Sequence, residues 1–188
     1  MTPMRLEDHL ARLGGVHPAC GHALRPVPEG ELAAIIEALG CPLPSTYRAL
    51  LSTWGAVAFR RNVRFRSAHP LPATISRDGG GLVRCFYGAA GHGPYGLLAA
   101  LARYRSRMPE GFLPFADNGA GDQLALATRG PVAGWVCAWD HHAEWDEEDL
   151  DDDADPAARA ALPYRNVTRV AASFDAFLDQ LWAAPDPA

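Results

Sequence analysis

The 188-residue chain has no lysine: all 17 of its basic residues are arginine. Cysteine is sparse too. Cys20, Cys41, Cys85 and Cys137 are far apart and form no C-x-x-C pair, so neither a disulfide framework nor a zinc-ribbon spacing is present. Reduced thiols in a cytoplasmic protein are expected. The apolar run Gly130–Trp139 has ten residues, far short of a bilayer span, and no membrane partner is expected. Residues 1–15 carry Arg5, Glu7, Asp8 and Arg12 with no apolar run, which is not the pattern of a secretory signal. No G-x-S-x-G nucleophile motif occurs, and no cysteine has a histidine partner close to it in a catalytic pattern.

What the chain does have is an ordinary globular composition, 48% hydrophobic and 21% charged, which excludes wholesale disorder and suits one domain with a real core. Its charge is unevenly placed. Residues 144–155, EWDEEDLDDDAD, hold nine acids and no base. Removing those nine charges from the net −5 leaves a body carrying +4. A mildly basic body with one concentrated acidic segment points to recognition by charge.

Helical spacing appears first. Leu6, Leu10 and Leu13 form one stripe, Gly14-Gly15 ends it, and 14–27 reads as a connector. Pro28 opens a helix with Leu32, Ile35, Ile36 and Leu39 inward. Pro44 opens another, with Tyr47, Leu50, Leu51 and Trp54 inward. From Val57 the period becomes two. Val63 and Phe65 face one side of a strand and Arg60, Asn62, Arg64 and Arg66 the other. Further strands are expected at 82–87, 112–116, 123–128, 135–140 and 167–171, with a helix over about 94–106 and a last one capped by Ser173. Short turns between consecutive strands predict an α+β fold with a mainly antiparallel sheet flanked by helices. Tyr47, Leu51, Phe115, Trp135, Phe174 and Phe177 are the expected core.

Four motifs could carry chemistry, and each lacks a necessary member. Gly91-His92-Gly93-Pro94-Tyr95-Gly96 spells G-x-G-x-x-G, but no acid closes the following strand as a dinucleotide site requires. Asp117–Asp122 resembles a calcium loop, yet Thr128 stands where the bidentate glutamate belongs. Asp140-His141-His142-Ala143-Glu144 gathers possible metal ligands, but neighbouring strand residues point to opposite faces, so both histidines could ligate only across a turn. The Arg60/Arg64/Arg66 face lacks the interleaved aromatics of a nucleic-acid platform. No catalytic residue, metal or cofactor is therefore expected, and no direct nucleic-acid partner. Trp135 and Trp139 read as core, whereas Trp145, inside the acidic run, reads as partly exposed.

Four blocks in order resemble the SUKH superfamily, bacterial immunity proteins with relatives among fungal cell-wall-synthesis regulators. They are Leu43-Pro44-Ser45-Thr46-Tyr47 with Trp54-Gly55, the segment Phe112–Leu124, Trp139-Asp140-His141, and Ser173-Phe174-Asp175-Ala176-Phe177-Leu178. Trp54 stands where the family usually has a polar residue. The resemblance spans about 26–182, leaving 1–25 as a helical extension and connector, 144–157 as an inserted acidic loop and 183–188 as a tail. It implies a single SUKH-like domain that binds and neutralises a cognate toxin protein, such as a nuclease or deaminase. The candidate toxin-binding residues are Asp117, Asn118, Asp140, His141, Glu144, Trp145, Asp146, Glu147, Glu148, Asp149, Asp151, Asp152 and Asp153. Two other readings remain open: an enzyme or metal- or cofactor-binding domain using Asp140, His141, Glu144 and the Asp117–Asp122 turn, and a general interaction regulator.

Overall fold

The computed structural model describes residues 4–19, 23–77, 79–146 and 155–185. The elements in chain order are α1 (Leu6–Arg12), β1 (Val16–Pro18), α2 (Glu29–Leu39), α3 (Ser45–Thr53), β2 (Val57–Phe65), β3 (Ser76–Arg77), β4 (Gly80–Phe86), α4 (Leu97–Tyr104), β5 (Phe112–Asp117), β6 (Gln123–Ala127), β7 (Val136–Trp139), α5 (Pro156–Ala161), β8 (Val167–Ala171), α6 (Phe174–Asp179) and β9 (Leu181–Ala183). Among the described residues they build one sheet in the order β1-β2-β4-β5-β6-β7-β8, with β3 on β4 and β9 on β2. Its strand pairings are antiparallel. This is the expected α+β class.

Sequence alternation explains why the sheet is covered on both faces at its β6–β7 end. Leu124, Leu126, Val136 and Ala138 enter the main core. The intervening Ala125, Cys137 and Trp139 join Tyr104, Met108 and Phe112 in a second cluster. Successive strand residues point to opposite faces, so two clusters mean two covered faces. The main core is aromatic at its centre. Tyr47 of α3 lies 4.9 Å from Phe174 and 5.6 Å from Phe115 between ring centroids.

The Tyr47 hydroxyl is buried with no hydrogen-bond partner among the described residues, and burial pushes its pKa well above the ordinary tyrosine value. Leaving a buried hydroxyl unpaired costs free energy that a phenyl ring avoids. Tyr47→Phe is expected to keep the fold and to raise unfolding stability by about 1 kcal/mol, as read by urea denaturation. A loss of stability would show that the hydroxyl has a partner.

Close backbone approach fixes the join between α3 and the sheet. A Cβ on Gly88 would meet the Ala56 backbone nitrogen at 2.0 Å, so only glycine fits there.

Four expectations change. The connector 14–27 contains β1, whose Val16, His17 and Pro18 pair with Phe59, Ala58 and Val57. β9 then pairs with Val63–Phe65 farther along the same strand. Arg12 donates to the carbonyls of Leu181 at 2.9 Å and Leu178 at 3.1 Å, tying the N-terminal helix to the C-terminal elements. Alternation breaks in β2: Arg60, Arg61 and Asn62 are exposed in succession, where the register with β4 shifts between Ala58 and Val63. Trp135 is not core. It is half-buried, with the Arg169 guanidinium 4.9 Å over its ring. Pro156 lies inside the 144–157 segment expected as a loop. It opens α5 as the first helical residue, behind an Asp155 side chain that accepts from the Ala158 amide, so the end of the segment expected as loop is helical.

Candidate functional site

Strand register builds the site. Gln123 pairs with Trp139, so the residues just outside that pair, Asp122 and Asp140, lie at neighbouring strand ends. Asp122 closes the β5–β6 turn and Asp140 ends β7. The β5–β6 turn is held by the Asn118 amide, whose Oδ1 accepts from Ala120 N at 2.8 Å and whose Nδ2 donates to Asp122 Oδ2 at 2.6 Å. Gly119 and Gly121 supply its positive φ angles, 79° and 107°. A Cβ at Gly121 would also sit 2.9 Å from His141 Nδ1, so the turn packs directly on that imidazole.

Beyond β7 the chain makes a short 3-10 turn, His141–Ala143, capped by the Asp140 carboxylate, which accepts from His142 N at 2.9 Å. Asp140 Oδ2 accepts from the Thr74 hydroxyl at 2.6 Å. Asp122 Oδ1 accepts from His141 N at 3.0 Å and lies 3.2 Å from His141 Nδ1 and 3.7 Å from His142 Nδ1. Both carboxylates have only 3% of their side-chain surface exposed. The sequence objection to paired histidines was strand alternation. The 3-10 turn removes it and brings the two rings to 4.0 Å between centroids.

Next along the chain, Glu144 is clamped by Arg107, whose Nε and Nη2 each donate to a carboxylate oxygen at 2.6 Å. The Arg107 guanidinium also lies 5.1 Å over Tyr104 and 5.4 Å over Trp139. Bidentate pairing and ring stacking use both faces of its chemistry, and the Glu144 hydrogen bond holds its pKa above the ordinary arginine value. Trp145 is half-buried and its indole N–H is buried without a partner among the described residues. Asp146 is exposed.

The structure therefore brings Asn118, Asp140 and His141 together, through Asp122, with Glu144, Trp145 and Asp146 following directly. Asp117 stands aside. It is half-buried, accepts weakly from Cys85 Sγ at 3.6 Å, and burial raises its pKa against the opposing pull of Arg84. Glu147, Glu148, Asp149, Asp151, Asp152 and Asp153, and with them the expected exposed acidic loop, lie outside the described residues. Sequence reading met Asp122 and His142 only as members of incomplete metal motifs, and did not single out Thr74 or Arg107. Asp122 was within reach, because the hairpin spacing sets it against Asp140. Arg107 was not, since its partner is 37 positions away.

Geometry also disposes of two motifs. The G-x-G-x-x-G segment forms a 3-10 turn, Ala90–Tyr95, between β4 and α4. The strands around it, β4 and β5, are antiparallel, which is not the βαβ unit a dinucleotide fold needs. Cys85 and Cys137 are buried, and burial pushes the Cys137 thiol up to about 12, the opposite of an activated nucleophile.

An antiparallel sheet interleaved with helices, with a Trp-Asp-His turn at the end of β7, is the architecture that the resemblance implies. The family comparison is in accord: the SMI1 / KNR4 family (SUKH-1) model matches residues 26–180, and the chain belongs to that family. Among curated proteins and among solved structures, nothing matches the chain. Among the described residues, no helix is long and apolar enough to cross a membrane.

Proposed function

We propose that this protein is an immunity protein that binds a cognate toxin stoichiometrically and blocks access to the toxin's active site. Membership of the SUKH-1 family over residues 26–180 carries the reading. The charge pattern supports it and narrows the partner. Enzymes that act on nucleic acid present basic grooves to phosphates, and the acidic segment 144–155 has the complementary charge. Glu144, held by Arg107, gives that segment a fixed root beside the polar turn of Asp122 and Asp140. Trp145, half-buried next to it, is the apolar anchor. The protein works by binding, without catalysis of its own.

The experiment is to mix the purified chain with the product of the neighbouring reading frame, expected to be a large protein ending in a toxin domain. A complex of one to one, with nuclease or deaminase activity titrated to zero at equivalence, is the expected result. Failure of the two chains to associate, or association that leaves toxin activity intact, overturns the reading.

A further inference from the structure

We propose that Asp122, His141 and His142 form a binding site for one divalent transition-metal ion of the zinc class. One ligand atom from each lies within 4.8 Å of the other two. The individual spacings are more telling. Two ligands held about 2.0–2.1 Å from a tetrahedral zinc ion are separated by about 3.4 Å. Asp122 Oδ1 is 3.2 Å from His141 Nδ1 and 3.7 Å from His142 Nδ1, which brackets that edge length. Two imidazoles and one carboxylate suit zinc and its neighbours; magnesium and calcium favour all-oxygen shells.

Burial supplies the second, independent reason. Asp122 and Asp140 lie side by side with 3% side-chain exposure each. Among the described residues the ion-pair partners of these two carboxylates are His141 and His142, with no arginine. Their remaining donors are neutral: the His141 and His142 amides, the Asn118 amide and the Thr74 hydroxyl. Two carboxylates withdrawn from water call for a compensating cation, and the imidazole nitrogens turned toward Asp122 Oδ1 are metal donors when neutral. The surroundings resemble the outer layer of a metal site. Asn118 Nδ2 fixes the Asp122 carboxylate through its other oxygen, and Gly121 packs against the His141 ring. His141 is 34% and His142 50% exposed, so an ion can enter. A metal here staples the β5–β6 turn to the His141–Ala143 turn, which runs directly into the acidic segment at Glu144.

The test uses the full chain alone, freed of metal by chelator, so its outcome is independent of the toxin reading. Co²⁺ is titrated while visible absorption is followed, Zn²⁺ is then added in competition, and melting temperature is recorded with and without Zn²⁺. Expected are one equivalent of Co²⁺ with an intense tetrahedral band, displacement by Zn²⁺, and a Zn²⁺-dependent rise in melting temperature. His142→Gln, at a half-exposed position where folding is safe, is expected to weaken binding by at least about tenfold, and His141→Gln likewise. His69→Gln, remote from the site, leaves it unchanged. No binding at equimolar metal, or full-strength binding in both His141→Gln and His142→Gln, overturns the proposal.

Discussion

Replacing Phe174 with alanine is expected to cost about 3–5 kcal/mol of unfolding free energy, a large part of the about 5–15 kcal/mol a domain of this size has. Phe174 is 1% exposed. Its ring lies 4.9 Å from Tyr47, 5.5 Å from Phe115 and 6.3 Å from both Phe86 and Phe177. Those rings come from α3, β5, β4 and α6, so the cavity opens where four elements meet and no single side chain can relax to fill it. The helix itself is short, six residues behind a Ser173 cap that accepts from Ala176 N. It owes its stability to packing more than to propensity. Urea denaturation of the variant measures the effect. A loss below about 1 kcal/mol would mean that the site collapses around the missing ring and that α6 is not the keystone of the core.

That keystone was legible in the sequence because Ser173-Phe174-x-x-Phe177-Leu178 states its cap and its inward face within six residues. The same holds for α2 and α3, where proline opens and apolar spacing aims the helix. Short and paired features were not legible. β1 and β9 have three residues each, too few for alternation to register, and they are strands only because β2 offers them an edge. Trp135 misled because it shares parity with Trp139. The strand begins at Val136, however, and the tryptophan before it is half-buried at the edge of the second cluster, with Arg169 and His69 beside its ring. At the site, Asp140 and His141 were legible as a strand end, and Asp117 and Asn118 as a turn. What joins them, Asp122 buried between the two histidines, is a product of antiparallel register and a 3-10 turn. The register was within reach of the hairpin spacing; the 3-10 turn has no one-dimensional signature. Arg107 follows the same logic: its value lies in meeting Glu144 across a long sequence separation, which spacing does not encode.

Neutralising the acidic segment is expected to slow capture of the toxin by at least about tenfold at low salt, with a smaller effect on the dissociation rate. The variant carries Ser or Asn at Asp146, Glu147, Glu148, Asp149, Asp151, Asp152 and Asp153, and leaves Glu144 in place so that its pair with Arg107 survives. Seven charges are removed from a segment that holds nine, enough to take away most of the attraction without touching the described core. Exposed charges act over about 8–10 Å at physiological salt and farther at low salt, so the wild-type association rate falls steeply as salt is added and the variant's rate falls little. Stopped-flow or surface-based kinetics at two ionic strengths read the difference directly. Trp145 separates anchoring from steering. Trp145→Ala leaves the charge unchanged, so it is expected to raise the dissociation rate while the salt slope stays as in the wild type. Because Trp145 is half-buried in the free chain, its variant is first checked for unchanged melting temperature, and Trp145→Phe, which keeps the apolar surface, tests whether the indole N–H contributes. Equal association rates and equal salt slopes for wild type and the neutralised variant would overturn the steering role of the segment and move the recognition surface to another face of the sheet.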